Sequence, residues 1–495
     1  MRQLALLTLL ASVALLPRAH AQSLGSVDFP TSTESAEAQA AFERGLLLLH
    51  SFEYDDARDA FREARQLDPG FAMAAWGEAS THNRPIWMQQ DRDAALAVLH
   101  AYDQARTTSD DGVAITDREA AYLSTLDALF EPDASASARD KEVRDDAYER
   151  AMAQLARSYP GDLDAQSLWA LSILGTAHEG RDFATYMRAA AILEGVFARN
   201  PEHPGAAHYL IHAYDDAVHA PLGLRPALVY DSVAPDASHA LHMPSHIYLA
   251  LGMWDETAEM NRRSYEAARA NSERRGEALN NHGWHALYWR TYAELQRGDA
   301  AEAYRLLATA RQLAAEDPST LARTHLVRIR AHVATDLQAF DRPEVDFNID
   351  PSGLSTTTRA IDRFVRASMP GADGSDRAAL QALAEAPDAS PTVRATALVA
   401  EVSMGTDVDV EAALREAAAL VAAQPLSFGP PTPVVPPHEA LGLWLLDQDR
   451  PDEAADAFRA QLALTPGRVQ STARLEEALG HASPHAADAA SSERP

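Results

Sequence analysis

Apolar residues recur three and four positions apart through nearly the whole chain, in Ala-rich stretches broken by short Pro, Gly and Asp signals. That spacing places one apolar stripe on a helix, and no run of alternating β-branched residues competes with it. The pattern predicts an all-α chain of paired helices. Pro160, Pro201 and Pro235 mark successive unit ends, and the last two are 34 residues apart, the period of a helix–turn–helix solenoid. The 41 residues between the first two imply an insertion of about seven, placed around 176–183. A single helix pair cannot bury its apolar face, so stacked pairs must share one elongated core.

The segment "GLLLLHSFEYDDARDAFREARQLDP" has Gly45 in a first helix, Ala57, Phe61 and Ala64 in a second, and Pro69 closing the unit. Near the other end, "HEALGLWLLDQDRPDEAADAFRAQLALTP" repeats this with Gly442, Ala454, Phe458 and Pro466. On these residues the chain resembles the tetratricopeptide repeat family. Through "WGEASTHNRPIW", "HPGAAHYLIHAYDD", "HMPSHIYLALGMWDE" and "GPPTPVVPPHEALG" it also resembles a group of exported bacterial repeat proteins without an assigned activity. The resemblance implies a right-handed superhelix whose concave groove, lined by the first helix of each repeat, binds a protein, peptide or small-molecule ligand. The expected organisation is a signal peptide at 1–21, an N-terminal and central solenoid at 22–340, and an irregular linker at 341–375. C-terminal repeat-like helices at 376–482 and a disordered tail at 483–495 complete it.

Arg2, the apolar run 4–16 and Ala19-His20-Ala21 form a secretory signal, with cleavage expected near Ala21 and export to the periplasm or beyond. The run is too short to span a bilayer, and no other span is expected. Net charge is -29, or -31 once Arg2 and Arg18 leave with the signal. Such a surface repels nucleic acid and anionic lipid. The chain has no cysteine, which excludes disulfides, thiolate ligands and a thiol nucleophile.

Two His-x3-His pairs stand out: His208 with His212, and His242 with His246, 34 residues further on. A spacing of four puts both rings of a pair on one helical face, and the repeat period puts the two pairs in register. By the family resemblance these positions face the groove. Helices packed about 8–10 Å apart would let rings from both share an ion at about 2.0–2.1 Å from each nitrogen. Asp215, His239 and His285 are further candidates, the first two lying three residues from a pair member. A nitrogen and oxygen ligand set suits Zn, Fe, Mn or Cu without choosing among them. The alternative is a structural one, in which duplication copied a histidine pair that bridges repeats by hydrogen bonds. Pro244 either removes one backbone bond inside its helix or starts a new helix.

The insertion carries His178 and Glu179, candidate proton-transfer groups on a loop. No Gly-rich phosphate loop, His-Glu-x-x-His motif or nucleophile-elbow serine is present, so no nucleotide cofactor is expected. Two readings remain: a binding scaffold with a His-rich divalent-metal site, and a metal-dependent hydrolase or oxidoreductase using the same histidines.

Overall fold

The computed structural model describes residues 23–108, 115–130, 139–405, 408–425 and 429–481. The expected signal peptide and the tail lie outside the described residues. Within them the chain is a succession of helical hairpins from Ala36–His50 to Val469–His481, each packed chiefly on its sequence neighbours. Side chains of Ser35, Asp162, Asp182, Asn280, Ser319 and Ser390 accept hydrogen bonds from the first-turn amides of their helices, satisfying donors the helix leaves unpaired. In the repeat built from Ala36–His50 and Tyr54–Leu67, the Phe61 ring fills the space a side chain at Gly45 would need. A Cβ on Gly45 would stand 2.7 Å from that ring, and one on Gly77 of the next helix 2.3 Å. Phe458 fits against Gly442 in the same way, at 2.6 Å.

The apolar interior divides in two near Leu249. One core gathers residues from Leu24 to Ala250, the other residues from Leu249 to Ala478. The first half turns back on itself, so that Ala36–His50 packs against Pro204–Tyr214. The second half does likewise. Trp254 Nε1 donates to the Gly467 carbonyl at 3.0 Å, and the Val469 amide to Gln296 Oε1 at 3.1 Å. Gly252 and Gly467 lie backbone to backbone there, both with positive φ. A cavity of about 650 Å³ lined by Asp336, Phe364, Met404, Glu439 and Arg468 opens within this second half.

Two features differ from the sequence reading. The stretch 341–375, expected to be an irregular linker, contains the helix Thr356–Ala367, with Val345, Ile349 and Leu354 buried in the second core beside it. Its Pro and Gly signals mark turns, and its apolar residues still find a core. A two-residue antiparallel ladder pairs Asn83–Arg84 with Gln89–Gln90 around a turn carrying Trp87, too short to leave an alternating pattern. Among the described residues no helix is long and apolar enough to cross a membrane.

Candidate metal centre

Pro204–Tyr214 is buried along its whole length. His203 caps it and Pro204 takes its first position, where a missing N–H costs nothing. His208 and His212 project from one face, and His239 approaches from Ser238–His242. One ring nitrogen from each of the three lies within 4.8 Å of the others. The Nε2 atoms of all three are buried without a hydrogen-bond partner, a costly state unless something else binds them. His208 Nδ1 donates to the His50 carbonyl at 2.6 Å, so its Nε2 lone pair is free. Burial pushes the His208 imidazole down to about 3. Burial, then the neighbouring histidines, hold His212 and His239 well below the ordinary range. All three are therefore neutral at pH 7, the form that ligates metal.

Behind this triad, Glu53 Oε1 accepts from the His239 amide at 2.9 Å and from Ser238 Oγ at 2.7 Å, while His282 Nδ1 stands 3.3 Å from Oε2. Phe52 packs its ring against His208, His212 and His239 at centroid distances of 4.3, 5.8 and 5.7 Å. Trp87 edges onto His212 and His239 at 6.5 and 6.1 Å.

A second triad adjoins the first. His242, His246 and His285 also bring ligand nitrogens within 4.8 Å of one another. Met243, between Ser238–His242 and Pro244–Ala250, keeps helical dihedrals (φ -55°, ψ -40°), so the helical path runs on through Pro244, which lacks an N–H to donate and sits between the two histidines of its pair. His242 Nδ1 donates to Asn261 Oδ1 at 2.7 Å, and His246 Nδ1 to Asp215 Oδ2 at 2.6 Å. In both rings Nδ1 carries a proton toward an acceptor oxygen. The two Nε2 atoms meet at 3.0 Å, a distance that suits one N–H···N hydrogen bond or two nitrogens turned toward a shared cation. A carboxylate behind a histidine fixes its tautomer and raises its basicity as a ligand. Burial first, then adjacent imidazoles, lower His242 and His285 well below the ordinary range. Trp289 closes this side, 4.8, 4.5 and 5.3 Å from the three rings.

The four paired histidines thus divide between two triads, completed by His239 and by His285. Asp215 stands behind His246, while Asp216 pairs with Arg181 at 3.7 Å and His219 at 2.9 Å. His208, His212, His239 and His242 are interior residues, with His246 and His285 only partly buried. The turn carrying Trp87 and the Trp289 ring pack against the cluster from two sides. His178 lies on the loop after Leu163–Leu174 and bonds Asp146 at 3.1 Å, and Glu179 is exposed; neither belongs to a triad. Sequence reasoning did not find Glu53 or Asn261, whose spacing to any histidine carries no helical signal. A third group, His50, Asp164 and His203, is already satisfied internally, with Asp164 Oδ1 2.9 and 3.2 Å from the two ring nitrogens.

A tetratricopeptide repeat profile matches residues 38–71, the unit in which Gly45 meets Phe61. Among curated proteins no sequence matches the chain. The chain is similar to the human IFIT1 dimer with m7Gppp-AAAA (12% identity, 90% of this chain and 82% of that one, TM-score 0.37). It is also similar to the APC/C hetero-tetramer Cut9–Hcn1 (14%, 89% and 76%, 0.37) and to yeast Tom70 (12%, 92% and 99%, 0.31).

Proposed function

Taking the chain as a tetratricopeptide-repeat protein, we propose that it is an exported binding scaffold whose interior holds a divalent transition metal on imidazole ligands. The carrying observation is that ring nitrogens of His208, His212 and His239 lie within 4.8 Å of one another and that each ring has a buried Nε2 without a hydrogen-bond partner. An ion held by the three rings would satisfy their unpartnered nitrogens at once. His242, His246 and His285, with Asp215 behind, supply the further nitrogens. The groove ligand is a protein, a peptide or a small molecule. Nucleic acid is disfavoured by the net charge of -29.

A second reading, a metal-dependent hydrolase or oxidoreductase, draws support from the donor count. Three protein nitrogens on an ion leave a coordination position open for a substrate or water.

Metal analysis of protein purified without an affinity tag tests the shared premise. After chelation and reconstitution with Zn, Fe, Mn or Cu in turn, at least one equivalent is expected to remain bound. Sub-stoichiometric retention of all four would remove both readings. His212→Ala and His246→Ala are each expected to weaken binding tenfold or more, roughly 1.4 kcal/mol. Unchanged affinity in both variants would reject this ligand set.

A further inference from the structure

Both triads are built by one rule. Each takes its first two nitrogens from a His-x3-His pair and its third from the inner helix of the following repeat: His239 for the first pair, His285 for the second. His239 completes one triad and His242 opens the next, and both stand on the short helix Ser238–His242. Three residues of helix rise only about 4.5 Å, so the triads cannot lie far apart. The rings agree. His212 and His246 are 5.8 Å apart between centroids and His239 and His242 6.0 Å, no farther than the 6.3 Å between His212 and His239 within one triad. Paired metal ions in two-metal sites are about 3.5–4 Å apart, a spacing these ring distances accommodate.

Resting on the metal-binding reading above, we propose that the six histidines form one dinuclear centre for copper, three imidazole nitrogens to each ion. The donor set argues for the metal. Neither triad contains a carboxylate, and the chain has no thiol. Oxygen-preferring ions such as Mn lose their usual ligands in such a set; imidazole suits Zn, Fe, Ni and Cu, and among these Cu stands at the top of the divalent affinity order. One buried carboxylate backs each half, Glu53 beside His239 and Asp215 behind His246. Two Cu(II) ions still exceed that charge, and each has a vacant position. A water bridging both ions, its proton released to solvent, fills the two positions as hydroxide and lowers the net charge.

Copper titration with electron paramagnetic resonance tests this on the full-length, tag-free protein. Two equivalents of Cu(II) are expected to bind per chain, with most of the integrated signal lost because a shared bridge couples the two spins. His285→Ala and His239→Ala are each expected to bind one equivalent and to show the full signal of an isolated Cu(II). Circular dichroism checks that each variant is folded. Binding of one equivalent by the unaltered protein, or of two with undiminished signal, would overturn the dinuclear centre while leaving a metal scaffold standing. Failure to bind copper or any of the other three metals would sink both.

Discussion

Phe52 has φ 56°, a left-handed conformation that bulky residues rarely adopt. The matching turn of the C-terminal repeat places Asp449 there at φ 58°, and intervening hairpins use Gly252 and Gly298. A non-glycine residue in this region costs on the order of 1–3 kcal/mol, so the surroundings must hold Phe52 in place. They do so by stacking its ring on Tyr54 at 5.4 Å and on Tyr209 at 5.6 Å, beside His208, His212 and His239. The strain thus falls at the wall of the candidate centre. Asp215 acts at the same scale by a different means, since its contact with His246 Nδ1 decides which nitrogen faces inward. Asp215→Asn keeps the shape but removes the charge and lets either tautomer form. Metal affinity is expected to fall 10–100-fold, as for other partners standing behind a ligating histidine. Competition with a calibrated chelator measures it; an unchanged constant would mean that Asp215 holds the ring for packing alone.

At the scale of helices, the glycines that face Phe61 and Phe458 set how closely a hairpin closes. Gly442→Ala would put a methyl group 2.6–2.9 Å from three atoms of the Phe458 ring, which is itself fully buried. In an unhindered helix the same change stabilises by about 1 kcal/mol. Here overpacking should dominate and destabilise by about 1–3 kcal/mol, so the sign of the shift in urea midpoint decides between the two. Metal binding should be untouched, since the helix Pro437–Asp447 that carries Gly442 packs chiefly on Val410–Ala422, Pro451–Leu464 and Val469–His481, none of which bears a histidine of the two triads. This interlock was legible in the sequence because Gly45 with Phe61 and Gly442 with Phe458 recur at equal spacing. The His-x3-His pairs were legible for the same reason. Their division was not. His285 follows His242 by 43 residues, outside the repeat period, and the residue one period before His239 is Gly205, which has no side chain to ligate. Nor could spacing reveal Glu53, which meets His239 only because the first hairpin packs against a helix more than 150 residues along.

At the scale of the molecule, each half closes through polar contacts between distant segments, and acid should open the two unequally. In the second half Arg468 is buried and holds three partners. Its guanidinium donates to Asp336 Oδ1 at 2.7 Å, to both Glu439 oxygens at 2.8 and 2.9 Å, and to the Tyr292 hydroxyl at 3.2 Å. Burial alone would raise the Asp336 carboxyl, but Arg468 and His332 outweigh it and hold the group below the ordinary carboxylate range. A carboxyl depressed in the folded state contributes its stability above its unfolded value, about 3.9, and loses it as pH falls through the folded value. Asp336→Asn should therefore destabilise at pH 7, by up to the roughly 3–5 kcal/mol of a broken buried pair, with Glu439 left to neutralise Arg468. Toward pH 2–3 the unaltered protein loses the same contribution, so the gap between the two urea midpoints should narrow steadily below about pH 4. Asp164 serves as an internal reference in the first half: its carboxyl is likewise depressed, against burial, by His203 and His50, and the substitution leaves it in place. A gap that stays constant from pH 7 to pH 3 would show that Asp336 contributes shape and not charge to closing the second half.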